Sequence, residues 1–131
     1  MSKRESGNSN LWINKAYSIY TMGRFEDAIK YCDEAIKTNP KDADAWSLKG
    51  ICLYFLHRYE EALKCCEKAV RLNPNDASAW YNKAASEEAL GRKDDAIKSY
   101  SKFISLAPEG YAMYVQYARW KIQVLSGNNE V

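Results

Sequence analysis

Residues 43–76 read ADAWSLKGICLYFLHRYEEALKCCEKAVRLNPND. Trp46 stands near the start of this block, Gly50 one turn later, Ala62 and Ala69 in its second half, and Pro74 near its end. A step of 34 residues in either direction finds the same arrangement again. Pro40, Pro74 and Pro108 keep that interval, as do Trp12, Trp46, Trp80 and then Tyr114. Ala28, Ala62 and Ala96 keep it too, and so do Ala35, Ala69 and Phe103. Self-similarity at a fixed period of this length marks a stacked helical array, in which each unit covers an apolar flank that its neighbour cannot cover alone.

Each unit divides into two helical patterns. Phe25, Ala28, Ile29, Cys32, Ala35 and Ile36 fall at three- and four-residue spacing and predict a helix over 25–38. Asn39–Pro40 ends it, because the residue before a proline avoids helical angles. A pattern over 10–22 precedes it and stops at Gly23, a residue tolerant of positive φ. The cycle continues as 43–56 and 59–72, then 77–90 and 93–106, with a last helix over 111–125. His57 holds the place that Gly23 and Gly91 hold in their repeats. Ala16, Gly50 and Ala84 on the first helices, with Ala28, Ala62 and Ala96 on the second, let paired helices approach closely. The expected fold is all-α with seven helices over 10–125, flanked by disordered tails at 1–9 and 126–131.

Composition narrows the function. The 131 residues fit one domain, and the four Trp and ten Tyr give a short array a real core. A formal net charge of +2 implies neither a nucleic-acid nor a membrane partner. Met1–Asn10 carry no apolar run, so no secretory leader is read there. No stretch approaches the roughly 18 apolar residues of a membrane span. The expected location is the cytoplasm. Lys15, Lys49 and Lys83 form a ladder, as do Lys30, Lys64 and Lys98, and nearby acids make both read as solvated surface.

Cys32, Cys52, Cys65 and Cys66 sit within helical patterns, and His57 is the only histidine. Zinc ligands come at loop spacing, so these cysteines read as buried structural thiols ahead of a redox or metal role. No cofactor is implied. A Cys–His pair would need Cys52 or Cys65 to reach His57. Glu87 and Glu88 are adjacent on one helix, where neighbours do not face one another. No paired carboxylates, metal set or phosphate cradle is present, so the chain reads as non-enzymatic.

Trp46, Gly50, Tyr59, Ala62, Ala69 and Pro74 together resemble the tetratricopeptide repeat. The resemblance covers repeats at 9–42, 43–76 and 77–110 and a half repeat at 111–125. It implies a right-handed superhelical solenoid, used as a scaffold or adaptor, with a concave wall built from the first helix of each pair. Its groove-facing positions are then Ile13, Asn14, Tyr17 and Tyr20 in repeat one, Leu48, Ile51, Tyr54 and Phe55 in repeat two, and Tyr81, Asn82 and Glu88 in repeat three. Apolar and aromatic side chains dominate them, which suits a peptide or helical segment as partner. Burial of some of them against neighbouring helices is the plainer alternative. Cochaperones of this family grip acidic chaperone tails with lysine, asparagine and arginine. The matching positions here are Ile13, Tyr17, Leu48, Ser78 and Asn82, with no cation among them, so that role is disfavoured.

The last helix has two apolar stripes. Tyr111, Tyr114, Val115, Ala118, Ile122 and Leu125 suit docking on repeat three. Met113, Tyr117, Trp120 and Val124 form a second stripe where a terminal helix ordinarily stays polar. A homodimer or another protein covering that stripe is one reading, and gives a self-associating structural module as the alternative function. A longer repeat array, or a tail at 126–131 folded over the stripe, would also account for it.

Overall fold

The computed structural model describes residues 2–127, with side chains from residue 9 onward. Among these residues seven α-helices follow one another: α1 Ser2–Thr21, α2 Phe25–Thr38, α3 Ala43–Phe55, α4 Tyr59–Leu72, α5 Ala77–Ala89, α6 Lys93–Leu106 and α7 Ala112–Leu125. A 3-10 turn, Glu109–Tyr111, leads into α7. No strand occurs among the described residues. The fold is the expected all-α solenoid. One boundary differs: α1 begins at Ser2, so residues 2–9, read as tail, continue the helix. Their polar composition hides this, because no apolar stripe marks that turn. Ser9 lies just inside it, 1% exposed, and its hydroxyl donates to Asp42 Oδ2 at 2.6 Å. Of the tail read at 126–131, Ser126 and Gly127 form a turn and the rest lies outside the described residues.

The 34-residue period is written in the turns. Gly23, His57 and Gly91 all take positive φ, at 77°, 64° and 78°. Their N–H groups donate to the carbonyls of Tyr20, Tyr54 and Glu88 at 2.9, 2.9 and 3.0 Å. The following residues, Arg24, Arg58 and Arg92, donate back to Ile19, Leu53 and Glu87. This paired bond satisfies the last carbonyls of each first helix and reverses the chain. Between repeats, Asp42 caps α3 by accepting from the Asp44 and Ala45 N–H groups, and Asp76 caps α5 from Ala79. The indoles of Trp46 and Trp80 donate to the carbonyls of Pro40 and Pro74 at 2.9 and 2.7 Å, tying each first helix to the loop before it.

The core is a row of linked clusters. Ala16, Ala28, Cys32, Leu48 and Cys52 join repeats one and two. Ala69, Val70 and Ala79 join repeats two and three. Ala77, Ala84, Ala96, Tyr100, Phe103 and Ala118 close the array, with Val115, Ile122 and Leu125 of α7 packed against them. The small residues act as read: Ala16, Ala28, Ala62, Ala84 and Ala96 are each 0% exposed, where any larger side chain would hold the helices apart. The backbones of α1 and α3, and of α3 and α5, come within 8 Å of each other, whereas α5 and α7 nowhere do. Large side chains fill that last gap.

Candidate partner-binding groove

The inner faces of α1, α3 and α5 turn toward one trough of about 780 Å³. Side chains three and four apart share a helix face, so each first helix contributes a row. Tyr17 and Tyr20 come from α1, Leu48, Ile51, Tyr54 and Phe55 from α3, and Tyr81, Asn82 and Glu88 from α5. Two expected residues lie elsewhere. Ile13 is 7% exposed and packs with Ala35 and Ala45, because α2 and α3 close over that turn of α1. Asn14 is exposed but does not border the trough.

The far wall was not legible from the repeat pattern. Tyr100 and Phe103 of α6, Tyr111, and Tyr114, Tyr117 and Lys121 of α7 also line the trough. Tyr117, read with Met113, Trp120 and Val124 as an outward stripe, turns its ring toward Tyr81 at 6.4 Å. The wide α5–α7 gap lets this flank of α7 look inward. Met113 and Trp120 do face solvent, at 84% and 53% exposure, while Val124 is half-buried. Tyr117 also lies 5.7 Å from Trp120, so the aromatic surface runs unbroken from the trough floor over the edge of α7. The only signal for these residues was the set of three tyrosines, Tyr111, Tyr114 and Tyr117, at the end of the array, which a count of groove positions cannot place.

Charge in the trough is sparse. Lys121 is the one cation among its lining residues, and the Glu88 carboxylate of α5 holds it. Glu88 also accepts from the Tyr100 hydroxyl at 2.9 Å. The Lys121 ammonium stands 5.8 Å from the Tyr117 ring and 5.4 Å from Trp120, a cation–π setting. Burial, then the nearby Asp44 and Asp76 carboxylates, pushes the Tyr17 phenol up to about 12. Burial, then Tyr117 and Tyr114, does the same to Tyr81.

The geometry and the period meet in one comparison: the tetratricopeptide repeat model matches residues 9–42 and 43–76, and a second tetratricopeptide repeat model matches 65–98. The chain is a member of the tetratricopeptide repeat family. Solved tetratricopeptide domains share the fold of this repeat protein. The TPR2B domain of yeast Sti1, in a complex with pHsp70, is 23% identical with a TM-score of 0.83, over 91% of this chain and 98% of that one. The first TPR domain of Spaghetti, bound to an HSP90 peptide, is 20% identical with a TM-score of 0.84, over 93% of both chains. The Yersinia enterocolitica secretion chaperone SycD, with a peptide of the translocator YopD, is 14% identical with a TM-score of 0.84, over 92% of this chain and 94% of that one. No curated protein matches this repeat chain in sequence.

Other chemistry finds little to work with in these repeats. No group of three His, Cys, Asp or Glu among the described residues is placed to hold a metal ion. All four cysteines are buried and unbridged. Burial pushes the Cys52 thiol up to about 12 and Cys65 to about 11, far from a reactive thiolate at neutral pH. No helix is long and apolar enough to cross a membrane among the described residues. Glu87 and Glu88 point apart, as adjacent helical residues must: Glu87 meets Ser99 on α6, and Glu88 meets the trough.

Proposed function

We propose that the chain is a non-catalytic interaction module that holds a peptide or helical segment of a partner protein in its aromatic trough. The observation that carries this is the continuous tyrosine lining, contributed by α1, α3, α5 and α7 around one cavity. Tyrosine supplies a broad apolar body with a polar tip, which suits a surface that must be wet when free and dry when occupied. Apolar ground of this extent marks contact with another molecule more often than not. A cytoplasmic setting suits four unbridged thiols.

The acidic tails held by chaperone-binding relatives fit this trough poorly. Ile13, Tyr17, Leu48, Ser78 and Asn82 stand at the clamp positions, Ile13 is buried in the core, and Lys121 is already held by Glu88. A carboxylate entering the trough would find no free charged donor among the lining residues. The test is affinity capture with the intact chain against its Tyr54→Ala and Tyr81→Ala double variant. A protein retained by the first and lost by the second, with both folded by circular dichroism, supports the reading. Equal retention by both removes it.

Exposed Met113 and Trp120 favour a second reading, self-association through the outer edge of α7. Sedimentation at micromolar concentration decides it. A monomer indifferent to Trp120→Glu ends this alternative without touching the first.

A further inference from the structure

At one end of the trough the molecule shows how its surface receives a cation. The Lys121 ammonium sits between the Glu88 carboxylate and the faces of Tyr117 and Trp120. The other end has the same two ingredients without the lysine. Tyr17 lines the trough there and is 46% exposed. Asp44 lies three and four residues before Ser47 and Leu48, so it extends their trough-facing row to the rim. Asp76 caps α5 two residues before Ser78, which also lines the trough.

We propose that the trough selects an apolar segment bearing lysine or arginine, with the basic side chain seated beside Tyr17 against Asp44 and Asp76. This rests on the groove reading above and adds to it the chemistry of the partner.

Three facts support it. Among the described residues, no ion pair involves Asp42, Asp44 or Asp76. Asp42, Asp44 and Asp76 all lie at helix N-termini, which partly offset them, but the Asp44 carboxylate, unlike the two caps, accepts no hydrogen bond from the described residues. Burial and then the neighbouring Asp42 and Asp76 carboxylates hold the Asp44 carboxyl above its usual range, as expected where like charges meet without a counterion. With Glu88 and Lys121 neutralising each other, the trough and this rim carry a net negative charge. The tyrosine faces favour a cation as well. An acidic segment would meet repulsion at one end and no donor at the other.

A random displayed-peptide library selected on the full chain tests this. Parallel selections use the Asp44→Asn/Asp76→Asn and Tyr54→Ala/Tyr81→Ala double variants. Asparagine still caps a helix, so the first variant should remain folded, and Asp44→Asn alone removes no cap bond if it does not. The expected wild-type pool is rich in aliphatic and aromatic residues with lysine or arginine, and poor in acids. Its peptides should bind the asparagine variant about tenfold more weakly at low salt, with the gap closing as salt rises. A neutral or acidic pool, or equal affinity for the asparagine variant, overturns the charge selection and leaves the groove reading standing. A wild-type pool no richer than that of the tyrosine variant overturns both.

Discussion

The ammonium of Lys121 is held by the Glu88 carboxylate across the space between α7 and α5. The two helices have no close backbone approach, so this pair and the Tyr81–Tyr114 and Tyr81–Tyr117 contacts are what join them along the trough. The side chains are only 18% and 24% exposed, so the pair is better shielded than an ordinary surface bridge. Lys121→Met should cost about 1.5–3 kcal/mol, the scale of a charged hydrogen bond. Amide hydrogen exchange should speed up in α7 while α2, α3 and α4 keep their protection. Uniform acceleration over the whole array would contradict this local role.

The trough should weaken in alkali. Burial, then Tyr117 and Tyr114, raises the Tyr81 phenol to about 12, and burial with the hydrogen bond to Glu88 raises Tyr100 further. The Glu88 bond raises Lys121 in the same direction. Each group holds its proton more tightly folded than unfolded. Their stabilisation is therefore whole below the unfolded values of about 10, and drains as pH climbs through the folded ones. The buried thiols of Cys52 and Cys65 are raised in the same way from an unfolded value of about 8.5, so denaturant midpoints should be flat from neutrality to about pH 8.5 and fall between there and about 12. Spectroscopic titration should show part of the tyrosine set ionising late. A midpoint that already falls below about pH 8 would point to other groups.

His57 takes φ of 64° where the two sister turns use glycine. A side chain there pays about 1 kcal/mol for the left-handed region. The hydrogen bond between its Nδ1 and the Tyr59 hydroxyl at 2.8 Å is exposed and returns little. His57→Gly should thus gain about 0.5–1 kcal/mol in equilibrium unfolding, which a loss of stability would refute.

Periodicity made the fold readable because a stacked array repeats its physics. One proline, one tryptophan and two small residues per unit suffice to place α2 to α6 within a residue or so. Ser2–Ser9 were not readable, since a polar helical extension carries no apolar stripe. The trough was readable where the repeats are regular, on α3 and α5. It failed at both ends, where a residue has only one neighbouring unit: Ile13 sank into the core, and Tyr117 turned inward. Lys121 was missed because its partner, Glu88, lies 33 residues away on another helix.

Gly50 is the tightest of the packing points. A Cβ there would stand 2.7 Å from Cys66 Sγ and 3.3 Å from the Ala62 carbonyl oxygen. Alanine favours a helix over glycine by about 1 kcal/mol, so propensity alone predicts a gain. The clash is with buried groups that have nowhere to go, so Gly50→Ala should instead lose about 1–3 kcal/mol. Gly50→Ala with Cys66→Ala should recover part of that loss, and unfolding of the two variants measures it.

Glu87 is a buried acid, 3% exposed, with a complete set of partners. It accepts from Lys83 Nζ at 2.7 Å and from the Ser99 hydroxyl at 2.6 Å. The sister positions in repeats one and two are Ile19 and Leu53, and Leu53 is 2% exposed. The fold thus accepts an apolar residue at this place. Lys83→Met would leave a desolvated carboxylate with a hydroxyl alone, at a cost of about 3 kcal/mol or more. Lys83→Met with Glu87→Leu removes both charges, and Ser99 can turn its hydroxyl to a carbonyl of its own helix. The double variant should recover most of the loss, because replacing both charges with apolar groups is far cheaper than stranding one. A denaturant series on the single and double variants decides it. If Lys83→Met alone is neutral, Glu87 is better hydrated than its packing implies. If the double variant is as weak as the single, the ion pair is needed for its charges and not merely tolerated.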